Sequence, residues 1–115
     1  VNGRTAERVE RARSEIVAKV SGARVEAAVG DVGTAEGVGA VLRVAPSVDI
    51  LVNNAGIFAP VAFGDITDDD WKTFFETNVL SGVRFSRAYF PRMKEAGWGG
   101  SSLCRASPAF RSRPR

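Results

Sequence analysis

The chain holds no histidine, and Cys104 is its single cysteine in 115 residues. The first absence removes Ser-His-Asp chemistry and the usual zinc ligand sets. The second removes any intrachain disulfide. No apolar run approaches the ~20 residues of a membrane span, and no charged region followed by an apolar signal core opens the chain. We therefore expect a soluble, cytoplasmic protein with no membrane partner. Acidic residues are missing from 101–115, which carry Arg105, Arg111, Arg113 and Arg115. Setting these four aside leaves 12 basic against 13 acidic residues over 1–100, so the formal charge of +3 belongs to a tail. A basic tail with Ser and Pro is usually a solvated end, and we expect no nucleic-acid partner.

Against these absences stands a hydrophobic content of 44%, ordinary for a folded core and enough for one modest domain. Val1-Asn2 reads as the end of a strand, and Asn2-Gly3-Arg4 as a turn. Thr5 is placed to cap a helix over 5–20, with Glu7 and Arg11 at i,i+4 spacing. Val9, Ala12, Ile16 and Val20 give that helix an apolar stripe, and Ser21-Gly22 ends it. Residues 24–29 read as a strand closed by Gly30-Asp31-Val32. Thr34 begins a shorter helix carrying Val38, Val41 and Leu42 and ending near Ala45-Pro46. Residues 48–52, apolar apart from Asp49, read as a strand covered on both faces. After a loop broken by Pro60 and Gly64, Thr67-Asp68-Asp69-Asp70 starts a helix with a cap and three acids at the positive end of its dipole. That helix is expected over 68–95, bent or nearly finished at Pro91. Trp71, Phe74, Phe75, Tyr89 and Phe90 share one side of it and are expected in the core. Alternating strands and helices define a doubly wound α/β sheet.

The motif Asn53-Asn54-Ala55-Gly56 follows the apolar strand directly, with Gly30-Asp31-Val32 before it and Asn78-Val79 in the long helix after it. Together these residues resemble the middle of a short-chain dehydrogenase/reductase, a Rossmann-type oxidoreductase dependent on NAD(P). The resemblance implies that the Asp31 carboxylate accepts from the adenine amine while Val32 packs on the ring; the plainer alternative is a strand-end Asp capping its turn. It implies that Ala55 and Gly56 let the chain pass close to the cofactor ribose, and that Asn53 and Asn54 tie neighbouring strands together. Val79 goes with the cofactor set. Asn78 is either a satisfied amide, since an unpaired one would cost roughly 1–3 kcal/mol, or the holder of a water in a proton relay, as the resemblance implies. Gly3 and Arg4 follow the strand end at Val1-Asn2, where an acid would accept the ribose 2′-hydroxyl and an Arg would accommodate a 2′-phosphate. No acid stands there, so NADP(H) is favoured over NAD(H). The substrate expected for the complete enzyme is a small-molecule carbonyl or alcohol. Related enzymes dimerise through the helix equivalent to 68–95, so a homo-oligomer is expected, and a catalytically dead NAD(P)-binding or dimerisation module is the alternative reading.

The resemblance covers 1–99, a partial Rossmann domain without its first strand, its TGxxxGxG turn and its C-terminal half. The catalytic Ser and the YxxxK pair are also missing. Tyr89 is the only tyrosine, and position 93 is Met93 rather than Lys. Residues 100–115 show no strand pattern and read as a non-native, disordered tail. Back-translated with suitable synonymous codons and read two nucleotides on, 101–115 gives VIVSSESGLQIPAE, an apolar strand and then Ser-Ser. This supports a frameshift and an inactive fragment.

Overall fold

The computed structural model describes residues 1–103. The readings of Cys104 and of the tail arginines, and that of the shifted frame beyond residue 103, lie outside the described residues. The order is β1 (Asn2–Gly3), α1 (Ala6–Lys19), β2 (Ala28–Val29), α2 (Ala35–Val44), β3 (Ile50–Asn53), a 3-10 turn (Phe63–Asp65), α3 (Asp68–Phe75), a π-helical turn (Glu76–Leu80), α4 (Ser81–Glu95) and β4 (Gly100–Leu103). All strand pairing is parallel, as helical crossovers impose. The pairing falls into two separate two-stranded sheets, β1 with β2 and β3 with β4. The fold is thus α/β and partly Rossmann-like, with a break in the sheet between β1 and β3.

Local chemistry sets most boundaries. Thr34 caps α2 by accepting from the Gly37 amide at 3.0 Å. Thr67 and Asp70 form a reciprocal capping box at the head of α3, the Thr67 amide donating to Asp70 Oδ2 at 2.9 Å. Gly22, at φ 75°, turns the chain after α1 in a conformation that L side chains rarely adopt. Helix α4 continues past Pro91 to Glu95.

The core joins α2 and α4 across the strands, through Ala28, Val32, Val38, Val41, Leu51, Phe85, Tyr89 and Met93. Phe85 and Tyr89 stack with centroids 6.1 Å apart, and the Tyr89 hydroxyl donates to the Ala45 carbonyl at 2.6 Å, pinning α4 to the end of α2.

Several expectations need correction. Trp71, Phe75 and Phe90 are exposed at 56%, 53% and 64%, so only part of the aromatic side is core. Helix α3 contributes no buried residue, because among the described residues no other strand or helix packs closely on it besides the adjoining π-turn. On α1 only Val9 is buried, while Ile16 and Val20 are exposed. Thr5 sits at the N-cap of α1 without a capping hydrogen bond. The ion pair on that helix is Glu10–Arg13, not Glu7–Arg11. Strand β2 is only two residues of the expected six. Residues 100–103 pair with β3 as a strand despite carrying no strand pattern: the register with Ile50–Asn53 supplies what local propensity does not.

Candidate functional site

Glycines make the site close-packed. The Gly30 and Gly37 backbones meet where β2 ends and α2 begins: a carbon added at Gly37 would lie 2.0 Å from the Asp31 carbonyl oxygen, and one at Gly30 would lie 2.5 Å from that of Gly37. The Asp31 loop is thereby held against the first turn of α2. Asp31 Oδ1 accepts from the Gly33 amide at 3.0 Å, the turn-capping alternative, which leaves Oδ2 without a partner among the described residues. Arg84 of α4 donates to the Gly33 carbonyl at 3.3 Å and to Glu76 Oε2, tying the same loop to the π-turn.

Six of the residues read from the sequence meet around one cavity of about 420 Å³: Gly3, Arg4, Asp31, Val32, Ala55 and Gly56. Val32 is buried, while Asp31 and Arg4 are exposed. Arg8, one turn into α1, joins Arg4 on the lining, and Asp31 is the only carboxylate there. The sequence reading missed Arg8: Arg4 lies in the turn before α1 and Arg8 in its first turn, so no single-element periodicity links the two. Thr77 of the π-turn also lines the cavity and would meet any side chain placed at Gly33.

The remaining candidates lie elsewhere. Asn53 Nδ2 donates to Ser101 Oγ at 3.4 Å, a tie between neighbouring strands. Asn53 and Asn54 face the break in the sheet rather than this cavity. Asn78, in the π-turn, is exposed, yet both amide ends are used: Oδ1 accepts from the Ile57 amide at 2.7 Å and Nδ2 donates to the Ile57 carbonyl at 3.1 Å. This two-point clamp fixes the loop leaving Gly56, where an added carbon would approach Asn78 Oδ1 to 3.2 Å. Single π-turns inside helices are frequent at functional sites. Asn78 and Val79 line a separate groove along α4. Among the described residues no cluster of metal ligands occurs, and no helix is long and apolar enough to cross a membrane.

Parallel strands, a glycine-tight strand-to-helix turn and a cavity at the strand ends define a dinucleotide-binding α/β class. Within that class the chain belongs to the short chain dehydrogenase family, whose profile matches residues 1–101. It is 44% identical over 95 residues to the uncharacterized oxidoreductase YvaG of Bacillus subtilis (strain 168), a match covering 83% of this chain and 36% of that protein. The structure of L-sorbose reductase from Gluconobacter frateurii, complexed with NADPH and L-sorbose, superposes with a TM-score of 0.77 at 33% identity, over 87% of this chain and 39% of that one. A metagenomic short-chain oxidoreductase in complex with NADP superposes at 0.74 and 26% identity, over 87% and 46%. The chain therefore spans less than half the length of these relatives.

Proposed function

We propose that this chain forms the adenosine-side half of the cofactor cradle in an NADP(H)-dependent oxidoreductase that interconverts a small carbonyl compound and its alcohol. The observation that carries the reading is the joint lining of one cavity by Gly3, Arg4, Arg8, Asp31, Val32, Ala55 and Gly56. Two guanidiniums beside one carboxylate suit a 2′-phosphate better than a bare 2′-hydroxyl. Asp31 Oδ2 is the acceptor for the adenine amine, and Val32 and Ala55 provide the apolar contact. The bound nicotinamide supplies or takes the hydride. Asn78 keeps the loop after Gly56 in place and retains capacity at each amide end for one more hydrogen bond, which suits the water-holding role.

The catalytic Ser, Tyr and Lys expected of such an enzyme are not matched in this sequence, so we expect no turnover from the 115-residue chain alone. The test uses a chimera carrying residues 1–101 within a full-length relative. NADPH is expected to bind it about tenfold tighter than NADH, equivalent to ~1.4 kcal/mol. The double substitution Arg4→Glu with Arg8→Glu should erase that preference; tighter NADH binding in the unsubstituted chimera would sink it.

A second reading, a catalytically dead nucleotide-binding or dimerisation module, draws on the exposed Val79, Val83 and Phe90 along the groove of α4. Cofactor binding without turnover in that chimera, together with a concentration-dependent mass lost on Phe90→Glu, would favour it.

A further inference from the structure

Arg84 lies outside the lining of the cavity beside α1, yet it holds the loop that frames that cavity. Its guanidinium donates through Nη1 to the Gly33 carbonyl at 3.3 Å and through Nη2 to Glu76 Oε2. Gly33 directly follows Asp31 and Val32, two residues of the cavity wall. The Thr77 side chain meets the same loop, since a carbon added at Gly33 would lie 2.8 Å from its Oγ1. The loop after β2 is therefore fixed twice: to α2 through Gly30 and Gly37, and to the π-turn through Arg84 and Thr77.

The π-turn makes the second attachment possible. Glu76 and Arg84 stand eight residues apart. Two turns of an α-helix take about seven residues, so in a regular helix the pair would be about 80° out of line. The Glu76–Leu80 turn absorbs one extra residue, which brings the two side chains onto one side. Glu76 also closes that turn, its carbonyl accepting from the Ser81 amide. Two residues on, Asn78 clamps the amide and carbonyl of Ile57. Solvent weakens exposed ion pairs, but the Arg84 side chain is only 23% exposed, against 73% for Lys72 in its pair with Asp69.

We propose that Arg84 is a positioning residue that couples the adenosine-binding loop to the Asn78 clamp, so that a nucleotide which orders Asp31–Gly33 also tightens the π-turn. The proposal rests on the cradle reading above and adds to it a residue from outside the cavity. Ordering one segment lowers the cost of ordering whatever is tied to it, and a single guanidinium ties these two. The carrier is the two-point contact rather than the charge. The Gly33 carbonyl and the Glu76 carboxylate lie against different nitrogens of one rigid fork, which the compact ammonium of a lysine does not reproduce.

The experiment measures residue-resolved amide exchange in the chimera carrying residues 1–101, free and saturated with 2′,5′-ADP, which fills only the adenosine half. The reporter is the Ser81 amide, which closes the π-turn and does not line the cradle. In the unsubstituted chimera the nucleotide is expected to slow this amide at least about fivefold, the low end of coupling between sites. Arg84→Lys keeps the charge, and Arg84→Met combined with Glu76→Gln leaves no lone charge. Both variants should still bind 2′,5′-ADP and lose the slowing; should the paired variant not fold, Arg84→Lys alone decides. A purely structural role would speed exchange equally in the free and bound states and leave their ratio intact, which would overturn the proposal. Binding of 2′,5′-ADP to the unsubstituted chimera without slowing at Ser81 would overturn the coupling and leave the cradle standing. No binding at all would overturn the 2′-phosphate cradle itself, and the coupling with it.

Discussion

At the scale of single residues, close backbone approach and one buried hydroxyl make the sharpest claims. Alanine is a better helix former than glycine by roughly 1 kcal/mol, which alone would make Gly37→Ala stabilising. The added carbon, however, would lie 2.0 Å from the Asp31 carbonyl oxygen and 2.6 Å from its nitrogen, and backbone cannot swing aside as a side-chain tip can. Overpacking of this kind costs about 1–3 kcal/mol and here should win. In the chimera, Gly37→Ala is expected to lower the urea midpoint and weaken nucleotide binding. Gly64→Ala, where the new carbon meets nothing within 4 Å, serves as the neutral control. Tyr89 tests a different point. The residue is 3% exposed, burial raises its pKa, and its hydroxyl is spent on the Ala45 carbonyl. Tyr89→Phe should keep the stack on Phe85 and lose about 1 kcal/mol of stability, the value of a typical hydrogen bond. Turnover of the chimera should be unchanged; a large loss of turnover at unchanged stability would reassign Tyr89 to the chemistry.

At the scale of elements, caps decide where helices begin, and two of them can be measured. Thr34 both accepts from the Gly37 amide and donates to the Asp31 carbonyl at 2.9 Å. Thr34→Ala should cost about 1 kcal/mol in the denaturation midpoint of the chimera, a typical loss for an N-cap. On α3, the hydrogen bonds from the Thr67 hydroxyl, and then from its amide, hold the Asp70 carboxyl below its ordinary value of 3.8. A carboxylate favoured by folding contributes stability that is fully present above that ordinary value and is lost as pH falls through the folded one. The Thr67 amide resonance should therefore titrate with a midpoint below 3.8, and Asp70→Asn should abolish that titration; a midpoint at or above 3.8 would contradict the capping box. Both caps were legible in the sequence, because Thr34 and Thr67-Asp68-Asp69-Asp70 act over three or four residues. So were Gly3, Arg4 and Asp31, which punctuate strand ends. The π-turn at Glu76–Leu80 was not legible: it widens one turn inside an unbroken helical pattern, and apolar spacing does not register a single extra residue. The exposure of Trp71, Phe75 and Phe90 was equally hidden, since periodicity names a helix side without saying what covers it. Gly100–Leu103 was unreadable for the opposite reason, its strand geometry coming from pairing with β3.

At the scale of the whole molecule, the fold class was readable because alternation of strand and helix survives in the pattern; the described strands pair as two separate sheets. The consequence is energetic. Two-stranded sheets are marginal on their own, and here each relies on the helices beside it. Among the described residues the buried apolar set is small, and four of its nine members are valines, while Ile50, Val52, Phe58, Phe63, Trp71, Phe90 and Trp98 are all more than half exposed. Ordering each backbone residue costs roughly 1–2 kcal/mol, and side chains left in water return little against it. We therefore expect the isolated 115-residue chain to lack a cooperative thermal transition. It should bind a dye specific for exposed apolar surface at low temperature and aggregate with rising concentration. Calorimetry and near-ultraviolet circular dichroism together make the measurement. A sharp transition whose calorimetric and van't Hoff enthalpies agree would show that two half-sheets and the α2–α4 core suffice for a two-state fold, and would overturn this expectation.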